Sequence, residues 1–167
     1  MIFSNGREVI FKTRHNDDHK MWTPQAEHIE FFRSGTKSFS SDSNWNVYCA
    51  ELLHSKVSNG PKNELYIFDI LVKDGVYLTG ETFAYRQHVL HGLWNGKHEG
   101  DQVRITPQIT VATCIDSGFA ERFNNLKPED EGLVLKDPNA KLKSCFKASS
   151  NAAWMVKCRI PNKNYSF

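Results

Sequence analysis

The chain has 167 residues, 40% hydrophobic, 12% aromatic and 24% charged, which is enough for one packed core and too apolar for a disordered chain. Its 21 Lys and Arg against 19 Asp and Glu leave a net charge of +2, so affinity for nucleic acid would have to come from a local patch. No apolar run approaches the roughly 18 residues of a membrane span.

The start, Met1-Ile2-Phe3-Ser4-Asn5-Gly6, lacks the charged-then-apolar pattern of a signal peptide. Met1–Phe3 and Glu8–Phe11 flank Asn5-Gly6 and predict a hairpin. A first strand that begins at residue 1 suggests a segment upstream of it. Thr13 to Asp18 closes the second strand in a polar turn, and Thr23-Pro24 opens a helix carrying Ile29, Phe31 and Phe32. Residues 34–46, rich in Ser, Gly, Asn and Asp, read as a loop. Asn46–Leu53 is the next strand, and Glu51 lies inside it. Alternation leaves open whether Glu51 faces solvent or the interior, where it would need a partner.

Leu65–Val72 is a strong strand whose one charge, Asp69, must be hydrogen-bonded if buried. Asp74-Gly75 turns it into Val76-Tyr77-Leu78. Thr79 reads as the N-cap of a helix over residues 80–94, with Phe83, Val89, Leu90, Leu93 and Trp94 toward the core. His88 and His91, at i and i+3, have a spacing that can bind metal. With no third ligand nearby they read as solvated or packed side chains. Residues 96–101 are a polar loop, and Val103–Thr106 and Ile109–Ala112 are strands around Pro107. Phe119, Phe123 and Leu126 mark a short helix. The four cysteines, Cys49, Cys114, Cys145 and Cys158, lack Cys-x-x-Cys spacing and read as reduced thiols rather than a zinc site.

Glu131-Gly132-Leu133-Val134-Leu135-Lys136 is bounded by turn residues and is too short for a helix, so it reads as a buried strand. It is either an ordinary core strand with charged ends, or one that offers Glu131 to a cation and Lys136 to phosphate. Trp154-Met155-Val156-Lys157-Cys158-Arg159 is a second cation-bearing strand, with Lys157 and Arg159 on one face. The order of elements, with hairpins in place of regular β-α-β alternation, argues an α+β fold with mostly antiparallel sheets.

Four segments form an ordered set: Cys49-Ala50-Glu51-Leu52, Tyr66-Ile67-Phe68-Asp69-Ile70, Glu131–Lys136 and Trp154–Arg159. Together they resemble the later motifs of the covalent nucleotidyltransferases, which include ATP-dependent DNA ligases, RNA ligases and mRNA capping enzymes. The order and spacing hold over about residues 1–160 and look most like phage-type and bacterial ATP-dependent DNA ligases. The segment from Thr79 to Leu90, with Arg86, is similar to the one that follows the aromatic-Asp strand in those ligases. The resemblance implies two mostly antiparallel sheets flanked by helices, an ATP-grasp-like adenylation domain. It also implies ATP and Mg²⁺ as cofactors, nicked duplex DNA (or RNA) as partner, and a monomer in the cytoplasm of a bacterial or phage-infected cell.

The same resemblance implies roles by position. Glu51 contacts the ribose or helps place the metal, and Phe68 stacks on adenine. Glu131 binds the cation, and Lys136, Lys157 and Arg159 hold the phosphates. Arg14 lies near the reacting 5′-phosphate. In the family a lysine amine attacks the α-phosphate of ATP and pyrophosphate leaves. AMP then passes to a 5′-phosphate at the nick, and the 3′-hydroxyl displaces it.

Three departures stand out. Ala50 occupies the place of a family glycine, Lys157-Cys158-Arg159 replaces Lys-x-Lys, and the nucleophile motif Lys-x-Asp-Gly is absent. Its expected position falls just before Met1, so residues 1–167 read as a partial adenylation domain without the downstream OB-fold domain. An RNA ligase or mRNA capping guanylyltransferase domain, a non-catalytic remnant that binds nucleotide or nucleic acid, and a plain α+β module are the rival readings.

Overall fold

The computed structural model describes residues 1–34, 44–53, 62–94, 96–98, 102–126, 132–142 and 153–159. The Asn5-Gly6 pair forms the predicted hairpin with a longer turn than two residues. β1 (Ile2–Ser4) and β2 (Val9–Phe11) run antiparallel with Ser4 opposite Val9. Gly6 adopts φ +83°, and the Asn5 carboxamide oxygen accepts from the Arg7 and Glu8 N–H groups at 3.1 and 2.8 Å, the usual means by which Asn stabilises a turn.

α1 (Ala26–Ser34) buries His28 and Phe32. The His28 ring fixes the helix start: Nδ1 accepts from the Gln25 N–H at 3.1 Å, and Nε2 meets the Asn63 carbonyl at 2.7 Å. β3 (Asn46–Leu53) and β4 (Glu64–Lys73) make the longest ladder. β5 (Val76–Tyr77) folds back on β4 through Asp74 and Gly75, at φ +49° and +80°, the two left-handed positions of a tight hairpin.

α2 (Phe83–His91) is shorter than expected from its apolar pattern. Thr79 does not cap it. The cap is Thr82, whose hydroxyl accepts from the Tyr85 N–H at 3.2 Å, and the helix ends at Gly92. Phe83 and Leu90 are buried and Val89, Leu93 and Trp94 pack against the core, as the spacing predicts. His88 is exposed.

β6 (Lys97–His98) pairs with β7 (Gln102–Thr106), which turns through Pro107 into β8 (Ile109–Ala112). Residues 97 and 98, read as loop, are thus a short edge strand; a two-residue pairing leaves no periodicity to detect. α3 (Phe119–Asn124) is the predicted short helix. β9 (Gly132–Lys136) and β10 (Met155–Arg159) pair with each other in a separate sheet.

Among the described residues the architecture is α+β, with one eight-stranded sheet in the order β2-β1-β3-β4-β8-β7-β6, β5 attached to β4, and one two-stranded sheet. The pairings are antiparallel except β4 with β8. On β3, Tyr48, Ala50 and Leu52 face a core shared with Ile2, Phe32, Ile67, Leu90 and Val111. Cys49 and Glu51 alternate to the other face. The expectation that Leu133–Leu135 is a buried strand is corrected: Val134 is 49% exposed, because a two-stranded sheet covers little of its own surface. Among the described residues no helix is long and apolar enough to cross a membrane.

Candidate functional site

The site is built where the small sheet meets the large one. β9 ends at Lys136, and its exit is anchored on both sides. The Asp137 N–H donates to the Trp154 carbonyl at 2.9 Å, and Asp137 Oδ1 accepts from the Asn139 N–H at 2.8 Å, making the predicted Pro-Asn turn. The chain then docks on the start of α2. The Phe83 and Ala84 N–H groups donate to the Ala140 and Pro138 carbonyls at 2.8 and 2.9 Å, and Leu142 N–H donates to the Thr79 carbonyl at 2.9 Å. Two of the N–H groups that a helix start leaves unbonded are satisfied this way.

Held there, the Lys136 ammonium lies over two aromatic faces, 4.3 Å from the Phe83 ring centre and 5.3 Å from that of Phe68. Both are within cation–π range. Burial lowers the Lys136 pKa from its ordinary value, while Asp69 and Cys114 pull it back up.

Beneath Lys136, Asp69 and Arg86 form a buried ion pair. Arg86 Nε and Nη2 donate to the two Asp69 carboxylate oxygens at 2.9 and 3.0 Å, and Nη1 donates to the Glu81 carbonyl at 2.9 Å. Asp69 also accepts from the Ile70 N–H at 2.9 Å, so the expectation that this mid-strand carboxylate would be bonded is met. Cys49, the register partner of Asp69, has its thiol pKa pushed up to about 11 by burial and by the nearby carboxylate.

The remaining sequence candidates fall into three groups. Lys136 stands opposite Met155, Val134 opposite Lys157, and Gly132 opposite Arg159, so Lys136, Lys157 and Arg159 project from one face of the small sheet. Glu51 is exposed, opposite Tyr66 and on the Cys49 side of β3. Arg14 is exposed in the turn after β2, where its Nε donates to His15 at 3.1 Å. β2 lies three strand spacings from β4, roughly 14 Å, so Arg14 belongs to the rim rather than to the Phe68–Lys136 centre. Glu131, the expected metal ligand, lies outside the described residues.

Mg²⁺ can be held by one or two carboxylates completed by nucleotide phosphates and water. Asp69 is committed to Arg86, which leaves Glu51 as the exposed carboxylate on the Cys49 side of β3. Among the described residues no cluster of three or more His, Cys, Asp or Glu could hold a metal by itself.

Sequence reasoning missed Phe83 as a partner of Lys136, because its spacing marks it equally well as an inward-facing helix residue. A separate concavity of about 470 Å³ lies between α2 and β6–β8, lined by Leu90, His91, Trp94, Val103 and Ile105 among others. Gln87 and Cys114 also line it, but Phe68 and Lys136 do not. No protein-family model, curated protein or solved structure shows a significant match to the chain.

Proposed function

We propose that this chain is a nucleotide-binding adenylation-type domain akin to those of ATP-dependent DNA ligases, with Phe68 as the base platform and Lys136, Lys157 and Arg159 as the phosphate-binding cations. The observation that carries the reading is the placement of Lys136 against Phe68, from a different sheet and 68 positions away in sequence, with Lys157 and Arg159 on the same face as Lys136. A flat aromatic offers stacking to any base, and cations beside it suit a triphosphate. Glu51 would share Mg²⁺ with the phosphates, and nicked DNA, or RNA in the RNA-ligase variant of the reading, would approach the rim that holds Arg14.

The sequence carries no Lys-x-Asp-Gly, which favours a second reading for residues 1–167 taken alone: ATP is bound without covalent transfer. Calorimetric titration with ATP and Mg²⁺ tests the shared part of both readings. Saturable binding that is lost in Lys136→Met is expected, and absence of ATP binding by the native chain would overturn them.

A further inference from the structure

Phe68 has no strand partner on either side among the described residues. The β3 register passes from Ala50–Ile67 to Cys49–Asp69 and skips it, and the parallel ladder with β8 stops at Ile67–Val111. A bulged residue has backbone groups to satisfy, and the pleat no longer sets the direction of its side chain. Here a side chain bonds the carbonyl of the skipped residue. Gln87 Nε2 donates to the Phe68 carbonyl at 3.0 Å, and Gln87 Oε1 accepts from Cys114 Sγ at 3.6 Å. Gln87 is itself buried, and it follows Arg86, whose guanidinium grips Asp69, the residue after Phe68. Successive residues of α2 thus hold successive residues of the bulge.

We propose that Gln87 is a positioning residue for the base platform: it fixes the bulge, and through it the direction in which the Phe68 ring meets a nucleotide base. The inference rests on the nucleotide reading above. It is specific to the base, because the phosphate-binding cations stand on the other sheet. Methionine at position 87 keeps the length and apolar volume of glutamine and removes the donor, so the Phe68 carbonyl loses its bond to the helix.

The experiment compares ATP with inorganic tripolyphosphate, both with Mg²⁺, in calorimetric titrations of the full chain and of Gln87→Met, with circular dichroism melts as the fold control. Gln87→Met should weaken ATP binding roughly 3- to 10-fold, a fraction of the cost of removing a stacking ring, and leave tripolyphosphate within about twofold. Cys114→Ala, which removes the thiol at the far end of the amide, should give a smaller loss of the same sign and serves if Gln87→Met does not fold. Equal losses for both ligands would show a merely structural role and overturn the proposal, as would no loss at all. Phe68→Ala run alongside separates the two ideas. If it weakens ATP while Gln87→Met and Cys114→Ala do not, the positioning role is wrong and the nucleotide reading stands. If the native chain binds ATP no better than tripolyphosphate, the base platform itself is wrong.

Discussion

Lys136 is a cation placed where solvent would otherwise stabilise it better, and two phenyl faces with one nearby carboxylate compensate in part. Burial holds its folded pKa below the ordinary 10.5. Between the two values the unfolded chain binds a proton that the folded chain has released, so this residue makes stability rise with pH across that window, and below it the charged form costs stability. Lys136→Met should therefore leave thermal stability at neutral pH unchanged or higher while abolishing measurable ATP binding, and it should flatten the alkaline rise of the urea midpoint relative to the native chain. A lower melting temperature at neutral pH would mean that the ring contacts outweigh the desolvation. Phe68→Ala tests the other half of the contact. It should weaken ATP binding by roughly 1–3 kcal/mol with the fold intact by circular dichroism. An unchanged affinity would remove the stacking role.

At the level of elements, the two strands of the small sheet depend on one glycine. Gly132 adopts φ +141°, and a Cβ there would stand 2.0 Å from the Cys158 carbonyl oxygen. Gly132→Ala would force β9 and β10 apart at the end that carries Arg159, which should weaken ATP binding and speed proteolysis between residues 132 and 159 while the large sheet keeps its melting transition. Unaltered proteolysis would show that the ladder tolerates the methyl. The anchor of α2 on β4 is a different kind of dependence. Asp69→Asn leaves the Arg86 guanidinium buried beside a neutral group and should cost on the order of 3–5 kcal/mol in urea denaturation. A loss under about 1 kcal/mol would mean that water reaches the pair. The strands other than β6 were legible because each has its own signal. Asn46–Leu53 and the Asp74-Gly75 hairpin follow from alternation and turn chemistry alone. The extent of α2 was not legible, because apolar spacing runs on past His91 while Thr82 and Gly92 set the ends. The Phe68 bulge and its Gln87 brace were also hidden, since a bulge is a relation between two strands and no single run of residues announces it.

For the whole molecule, the decisive question is whether a chain with the proposed base platform and phosphate-binding cations can also form a covalent adduct. Self-adenylylation needs an amine in line with the α-phosphate, and small misplacements cost orders of magnitude in rate. Among the described residues, the placements of Lys12, Lys136 and Lys157 argue against it. Lys12 follows β2 at the sheet edge and bonds Asp18 at 2.8 Å, three strand spacings from the strand of Phe68. Lys136 is turned onto two aromatic rings, and Lys157 is exposed on the face proposed to bind phosphates. A lysine that works as a cation is protonated, and a protonated amine has no lone pair with which to attack. Incubation with ATP labelled at the α-phosphate and Mg²⁺, followed by a denaturing gel, should show no labelled band at the mass of the chain, although ATP binds. A band would refute the prediction, and peptide mapping would name the lysine responsible. Adding a short upstream segment that carries Lys-x-Asp-Gly should create the band, because the proposed platform, cations and Glu51 carboxylate would then be joined by the nucleophile motif that residues 1–167 do not carry. If that extended chain folds, binds ATP and still remains unlabelled, the resemblance to ligases does not extend to their chemistry, and the non-covalent reading is the one that survives.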